Sequence, residues 1–484
     1  MADNQLSTML QYFAGAILMA CIGLFAVGAF VSLNRKFGKW TVALINPLIL
    51  VAICGTAILS GRDITNAEFE IGTAAGTEGS QLVWFLRFFT SIVLGICLAR
   101  YISASQGHQT RPRQGRGLFI AFLLFYVTNF VLNNLFGTKP DFDQRLIYLV
   151  LVIIAVYLSR NRDAKLTVDA TKAGLLLFTM ASCAAAFLLP GTAVQQSYAS
   201  VIPSIGFRLW GLGSNPNSTG PLALVLLLLL TWKPFKSRLL QLLGYGTGLA
   251  VLLLSQSKTA WLAAFIAFPT LWWGQMLYNA AKQGRLRTAA YPISSFSRPI
   301  LLCLLGLAGV TVLIYLQLHN TLSSIAQDQQ VTSLTGRTDI WAVALETWEQ
   351  NPLFGYGSTI WDDNFRQAVG MDYAYNAHNQ FLQSLSSAGA LGLVGMLFYT
   401  LILFLYAYAA NTATRGLSLA LFWVIFIRFF TETPLNMVGI FSGEFVTHLL
   451  LFTLVLTKGR QVQVYVAHSN PSVPFGPLQK LQWR

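Results

Sequence analysis

One histidine in a polar loop and three cations on a side otherwise poor in basic residues are the side chains best able to do chemistry together. His378 lies in YNAHNQF, Arg208 in FRLWGLGSNPNSTG, Lys258 in SQSKTAW and Arg337 in GRTDIW. An imidazole with an ordinary pKa near ~6.5 can take a proton from a hydroxyl at neutral pH. Two arginines and a lysine can clamp an anion, and a diphosphate suits planar guanidinium forks. Asn379, beside the histidine, can fix the orientation of the imidazole ring through a hydrogen bond. A base on one side of a carbon and positive charge on the other is what inverting displacement of a diphosphate requires, and neither needs a metal or a cofactor. Plainer uses compete: a lone span-end cation can snorkel, and a loop histidine can simply pack.

These residues need a scaffold, and the composition says which kind. Of 484 residues, 55% are hydrophobic and only 10% charged, against about 25% charged in soluble domains. The apolar residues come in blocks: 10–33, 40–59, 82–99, 117–136, 173–190, 239–254, 260–279, 299–318, 390–410 and 438–457, with weaker stretches at 146–159, 217–231 and 417–430. Most approach the ~20 residues a helix needs to cross ~30 Å of hydrocarbon. The expected fold is all-α, a polytopic membrane protein of 12 or 13 transmembrane helices. The first segment does not read as a cleavable signal peptide, since Asp3 precedes it and Arg35, Lys36 and Lys39 follow it.

Charge sets the orientation. The loops 34–39, 100–116, 160–172, 232–238, 280–298, 411–416 and the tail from 458 hold 23 of the 32 basic residues. The alternate loops hold seven: Arg62, Lys139, Arg145, Arg208, Lys258, Arg337 and Arg366. The first set is therefore expected to be cytoplasmic. The net charge of +14 follows from topology and lipid-surface attraction, not from a nucleic-acid partner. The chain divides into residues 1–318 with the first ten spans, a helical extracytoplasmic loop at 319–389, the last spans at 390–457 and a cytoplasmic tail at 458–484.

The loop should hold a helix over 339–350, capped by Thr335 or Thr338 and stopped before Pro352, then a turn at Gly355-Tyr356-Gly357 and a helix over 376–388 ending at Gly389. That second helix would present His378, Phe381, Leu382 and Leu385 on one face. Its aromatic residues Trp341, Trp348, Trp361, Phe365, Tyr373 and Tyr375 suit a carbohydrate or lipid face, or the loop's own core. Arg428 and Glu432 are spaced for an i, i+4 pair near the outer end of a span, while Arg87 and Glu444 are intramembrane charges that can fix packing or line a path. Asp141-Phe142-Asp143 has the DxD form of a metal-dependent nucleotide-sugar enzyme, but it lies in a short outer loop, away from cytoplasmic nucleotides. The five cysteines (Cys21, Cys54, Cys97, Cys183 and Cys303) sit in apolar segments with no metal or disulfide spacing. Of the remaining histidines, His319 stands at a span end with no motif around it, His448 lies in the last span, and His108 and His468 lie on the cytoplasmic side.

The run GRTDIWAVALETWEQNPLFGYGSTIW followed by YNAHNQFLQSLSSAGALGL resembles the signature loop of the O-antigen ligase and polymerase superfamily, closest to its exopolysaccharide polymerase branch. RLWGLGSNPNSTG and SQSKTAW are similar to two upstream motifs of that superfamily, in the same order, and the resemblance covers about residues 200–400. It implies metal-independent inverting glycosyl transfer at the periplasmic face of the bacterial inner membrane, with a glycan on undecaprenyl pyrophosphate as donor and a glycan as acceptor. By resemblance His378 would activate the acceptor hydroxyl, while Arg208 and Lys258 would hold the leaving diphosphate. Many members have arginine at the position of Lys258, so the planar fork is lost here. Arg337 and Asn379 would position substrate or loop. A flippase and a chain-length regulator of the same pathway are the protein partners implied. An O-antigen ligase using a lipid A-core acceptor is the nearest alternative. A polysaccharide or lipid transporter is a more distant one, since no inverted repeat is visible.

Overall fold

The computed structural model describes residues 42–65, 81–105, 115–141, 143, 145–159, 161–198, 202, 205–283, 337–437 and 439–467. The expected spans at 10–33 and 299–318, Thr335, His319, His108, His468, Phe142, Cys21, Cys303 and the end of the tail lie outside these residues. The remaining eleven apolar stretches all form helices: α1 (Val42–Leu59), α2 (Gln81–Ser105), α3 (Arg116–Phe136), α4 (Arg145–Tyr157), α5 (Asn161–Leu188), α6 (Pro216–Trp232), α7 (Arg238–Leu254), α8 (Lys258–Lys282), α11 (Gln380–Ala409), α12 (Leu417–Phe430) and α13 (Gly443–Ala467). Six of these are long and apolar enough to cross a membrane by themselves. The fold is that of an all-α polytopic membrane protein. Helix α9 (Arg337–Gln350) and the short α10 (Asp363–Val369) belong to the loop. Among the described residues the only strands form a short antiparallel pair, β1 (Val194–Gln196) and β2 (Phe207–Leu209), in which Gln195 faces Arg208.

Helix α6 is the centre of the bundle. Its leucine run is apolar all round, and Leu222 through Leu230 are buried against α5, α7, α8, α12 and α13, as expected of a helix with no lipid-facing side. Asn215 caps it by accepting from Ser218 N at 2.8 Å, and Pro216 occupies the first turn, where no amide donor is needed. Pro221 falls further in and cannot donate to Asn217 O four residues earlier. Arg428 takes the vacated place, donating from Nη2 to that carbonyl at 2.9 Å.

Helix α11 is broken at Gly389, whose φ is +66°. A helix broken at the edge of a bilayer leaves backbone groups that hydrocarbon cannot satisfy. The NPLFGYG segment supplies the partners. Ala390 N donates to Pro352 O and Leu391 N to Leu353 O, while Ser386 O and Ser387 O accept from Tyr356 N and Gly357 N. The four groups the break would orphan are thus exchanged for main chain of the loop. Gly355 and Gly389 permit the approach, since a Cβ at Gly389 would stand 2.3 Å from the Leu353 carbonyl and one at Gly355 2.6 Å from Gly389 N. Three asparagines on α3, beside a π-helical turn at Val127–Val131, brace the same region. Asn129 donates to Gly392 O, Asn133 donates to Ser387 O, and Asn134 accepts from Ser358 N.

Two expectations about the loop need correction. His378 is not on a helix; it sits in a left-handed turn (φ +44°) before Asn379, which caps α11. Thr338 lies inside α9 instead of capping it. Of the loop's aromatics, Tyr356, Trp361 and Phe365 pack with Ile340, Ala344 and Ala377 in a core of its own.

Candidate functional site

The loops assigned to one side by charge meet at one end of the bundle, while Trp232, Lys172, Lys233 and Thr414 meet at the other. At the first end, Arg62 arranges the segment that carries Arg208. Its guanidinium donates to Thr192 O, Gly211 O, Gly213 O and Ser214 O at 2.7–3.2 Å. This shapes the RLWGLGSNPN run and sets β2 against β1. From β2, Arg208 donates through Nε to Ser255 O at 2.9 Å and through Nη2 to Asn217 Oδ1 at 2.9 Å, with its guanidinium over the Tyr198 ring. The carbonyl of Ser255 is presented by a tight turn in which Gln256 takes a positive φ of 49°. Lys258 opens α8 just beyond that turn. It is exposed, and its charge interacts with those of Arg208 and Arg337.

Asn217 continues the chain of contacts. Its Nδ2 donates to Glu432 Oε1 at 2.9 Å. Glu432 is buried, and it is also approached by Arg337 Nη2 at 3.7 Å and by His378 Nδ1, which stands 3.5 Å from Oε2. Burial alone would raise the Glu432 carboxyl. The hydrogen bond and charge of His378, with the charges of Arg428 and Arg337, outweigh it and hold the group below its ordinary value. Glu432 is therefore an anion at neutral pH, placed between a histidine and the cation set.

The pairing of Arg428 with Glu432 expected from their spacing is not formed by their side chains. Helix α12 tightens into a 3₁₀ turn at Ile427–Phe430 and the chain then leaves it, so the two residues no longer share a face. Arg428 Nη2 instead binds Glu444 Oε1 at 2.8 Å, and Glu444 Oε2 accepts from Ser218 Oγ. Glu444 and Arg428 thus hold the start of α6, and Glu432 is left to His378, Arg337 and Asn217.

Asn379 caps the helix that follows the histidine. Its Oδ1 accepts from Phe381 N at 2.9 Å and Leu382 N at 3.2 Å, so the oxygen is engaged in starting α11. His378 N is bonded instead to Asn376 Oδ1 at 2.7 Å, which stabilises the left-handed turn. The DxD pair is also used locally, since Asp143 pairs with Arg145. Among the described residues no three His, Cys, Asp or Glu side chains gather as a metal site.

Residues 243–397 match the family model described as O-antigen ligase. That stretch is similar to an O-antigen ligase domain. The match supports the resemblance to the O-antigen ligase and polymerase superfamily read from the sequence. The matched stretch takes in most of α7, then α8, α9, α10 and the first part of α11, and so Lys258, Arg337, His378 and Asn379. Arg208, Asn217 and Glu432 lie outside the matched stretch yet converge on it. Among curated proteins none matches the chain.

Sequence reading singled out Arg208, Lys258, Arg337 and His378, and the structure brings these four to one place. It missed Asn217 and gave Glu432 the wrong partner. The signal for Glu432 was present: an acid just past the end of an apolar span needs a cation or a proton donor nearby.

Proposed function

We propose that the protein is a lipid-linked glycan polymerase, transferring an undecaprenyl-pyrophosphate-linked oligosaccharide to the end of a second glycan at the periplasmic face of the bacterial inner membrane. The observation that carries this is the convergence of a histidine–carboxylate pair and three cations from β2, α8, α9 and the turns before α11 and after α12. Nδ1 of His378 is turned to Glu432, and the imidazole of His378 receives the acceptor's hydroxyl proton. The acceptor oxygen forms a bond to the anomeric carbon as the bond from that carbon to the diphosphate oxygen breaks. The proton goes to His378, and the electron pair leaves with the lipid diphosphate. Glu432 stabilises the imidazolium that results, in the manner of a base held by a carboxylate. Arg208, Lys258 and Arg337 meet the charge growing on the diphosphate, assisted by the positive ends of α6 and α8 at the same face. The displacement is a single step, so it inverts the anomeric centre.

A ligase that moves the glycan to lipid A-core uses the same bond changes and differs only in the acceptor. The sequence resemblance to the exopolysaccharide polymerase branch favours polymerisation of a surface or secreted glycan. Deleting the gene and analysing the glycans separates the two. Loss of long chains, with single repeats still made, supports polymerisation; intact chains stranded on the lipid carrier would replace it with ligation.

A further inference from the structure

A second polar space opens beside the proposed site, in a cavity of about 370 Å³ walled by α3, α4, the 358–362 turn and α11. That volume lies in the range of about 300–1,000 Å³ usual for small-ligand sites. Its wall continues that of the reaction centre: Gln380 and Leu435 line it, they are joined by Leu435 N donating to Gln380 Oε1 at 2.7 Å, and they follow closely on His378 and Glu432. Three buried polar atoms of its lining have no partner among the described residues: Asn133 Oδ1, Thr359 Oγ1 and Trp361 Nε1. Asn133 and Trp361 are 1% and 4% exposed. One atom accepts, one donates and the hydroxyl can do either. Buried groups of this kind are costly unless something bonds to them, and adjacent sugar hydroxyls, each both donor and acceptor, match that mixture.

The charge of the lining narrows the class. Among the described residues of the lining, Asp141, Asp143 and Asp362 contribute three carboxylates against the single guanidinium of Arg145. Asp143 is paired with Arg145, and Asp362 uses one oxygen to cap α10 through Phe365 N. The net negative wall repels a diphosphate or a uronate and tolerates a neutral or amino sugar. The cations on the other side of His378 have the opposite preference. Resting on the glycosyl-transfer reading above, we infer that this cavity is the subsite for a neutral or amino sugar of the acceptor glycan. The two walls thereby sort the reactants, with the diphosphate-bearing donor to the cations and the uncharged acceptor to the aspartates.

The test is saturation-transfer NMR on the full-length protein in nanodiscs, with methyl glucoside, methyl N-acetylglucosaminide and methyl glucuronide as probes. The two neutral glycosides should receive saturation and the glucuronide should not. Trp361→Phe, which keeps the ring and removes the donor, and Asn133→Leu should each weaken the neutral signals at least threefold. Asp141→Asn alters an exposed carboxylate and leaves the packing intact; it should let the glucuronide bind, and it decides the matter if either buried variant fails to fold. His378→Gln should leave all of these signals unchanged while removing transfer, so loss of turnover and loss of sugar binding are read separately. No saturation of any neutral glycoside, equal saturation of the glucuronide by the native protein, or undiminished signals in folded Trp361→Phe would overturn the assignment.

Discussion

Glu432→Gln isolates the histidine–carboxylate pair, because it keeps the side-chain shape and removes only the charge. At the observed 3.5 Å between His378 Nδ1 and Glu432 Oε2, the attraction of a fully formed ion pair is about 4–5 kcal/mol at an effective dielectric of ~20. Burial of the carboxylate and the neighbouring cations offset part of this, and an amide oxygen can still accept a hydrogen bond. About 1.5–3 kcal/mol should therefore be lost as the imidazolium forms, which is roughly 10–100-fold in rate. The assay is elongation of a purified lipid-linked repeat by the protein in nanodiscs, with kcat and KM measured across pH. The fall should appear in kcat with KM little changed, because the charge acts on the proton-bearing state. The acid limb of the profile should move to lower pH, since an anion beside the base favours its protonated form. Stability should respond in a related way. A carboxyl held below its ordinary value in the folded protein adds stability that is present above that value and is lost as pH falls through the lower, folded one. Wild-type protein should thus lose melting temperature on acidification below about pH 5, and Glu432→Gln should lose less of it. Wild-type kcat and an unmoved acid limb in well-folded Glu432→Gln would refute the pair as part of the reaction.

Four other outcomes follow from the same geometry. His378→Gln should insert and fold normally yet transfer about 10²–10⁴-fold more slowly, and a wild-type rate in the purified variant would remove the base. Arg208→Ala should abolish transfer, whereas Lys258→Arg should retain it or improve it by restoring a guanidinium fork; full activity in Arg208→Ala, assayed in membranes, would exclude it from the site. Gly389→Ala combines a left-handed backbone with a Cβ driven against the Leu353 carbonyl, so it should cost at least about 2 kcal/mol and lower the midpoint of thermal unfolding; an unchanged midpoint would contradict the interlock. A cysteine at exposed Glu349 should react with a membrane-impermeant maleimide in intact spheroplasts, and labelling only after lysis would reverse the orientation.

The spans were legible because lipid demands long apolar helices, and each apolar block within the described residues became one. The short stretch 217–231 looked marginal on length; it is buried among five neighbours and need not meet lipid at all. The cations and His378 were legible because charge is rare at that end of the chain. What pattern could not reveal was contact between distant segments. Glu432 is four residues from Arg428, so local spacing suggested a partner, whereas the side chain reaches His378 and Asn217 across more than fifty and two hundred positions. The break at Gly389 was visible as a glycine at a helix end. A span starting at residue 390 was visible too, but its continuity with the helix before the break was not, because the loop supplies the missing hydrogen bonds from a segment thirty or more residues away.

The exchange of main-chain bonds between 352–357 and 386–391 also bears on recombination. A chimera cut at the loop's sequence boundary, between residues 389 and 390, would join half of an interlocked pair to a foreign partner, even though that cut lies between a soluble loop and a span. Grafts that move residues 351–391 as one block keep both halves of the exchange. They should express and insert where the apparently tidier graft of 319–389 does not. The heritable unit of this site is therefore a loop together with the first turns of the helix it mends.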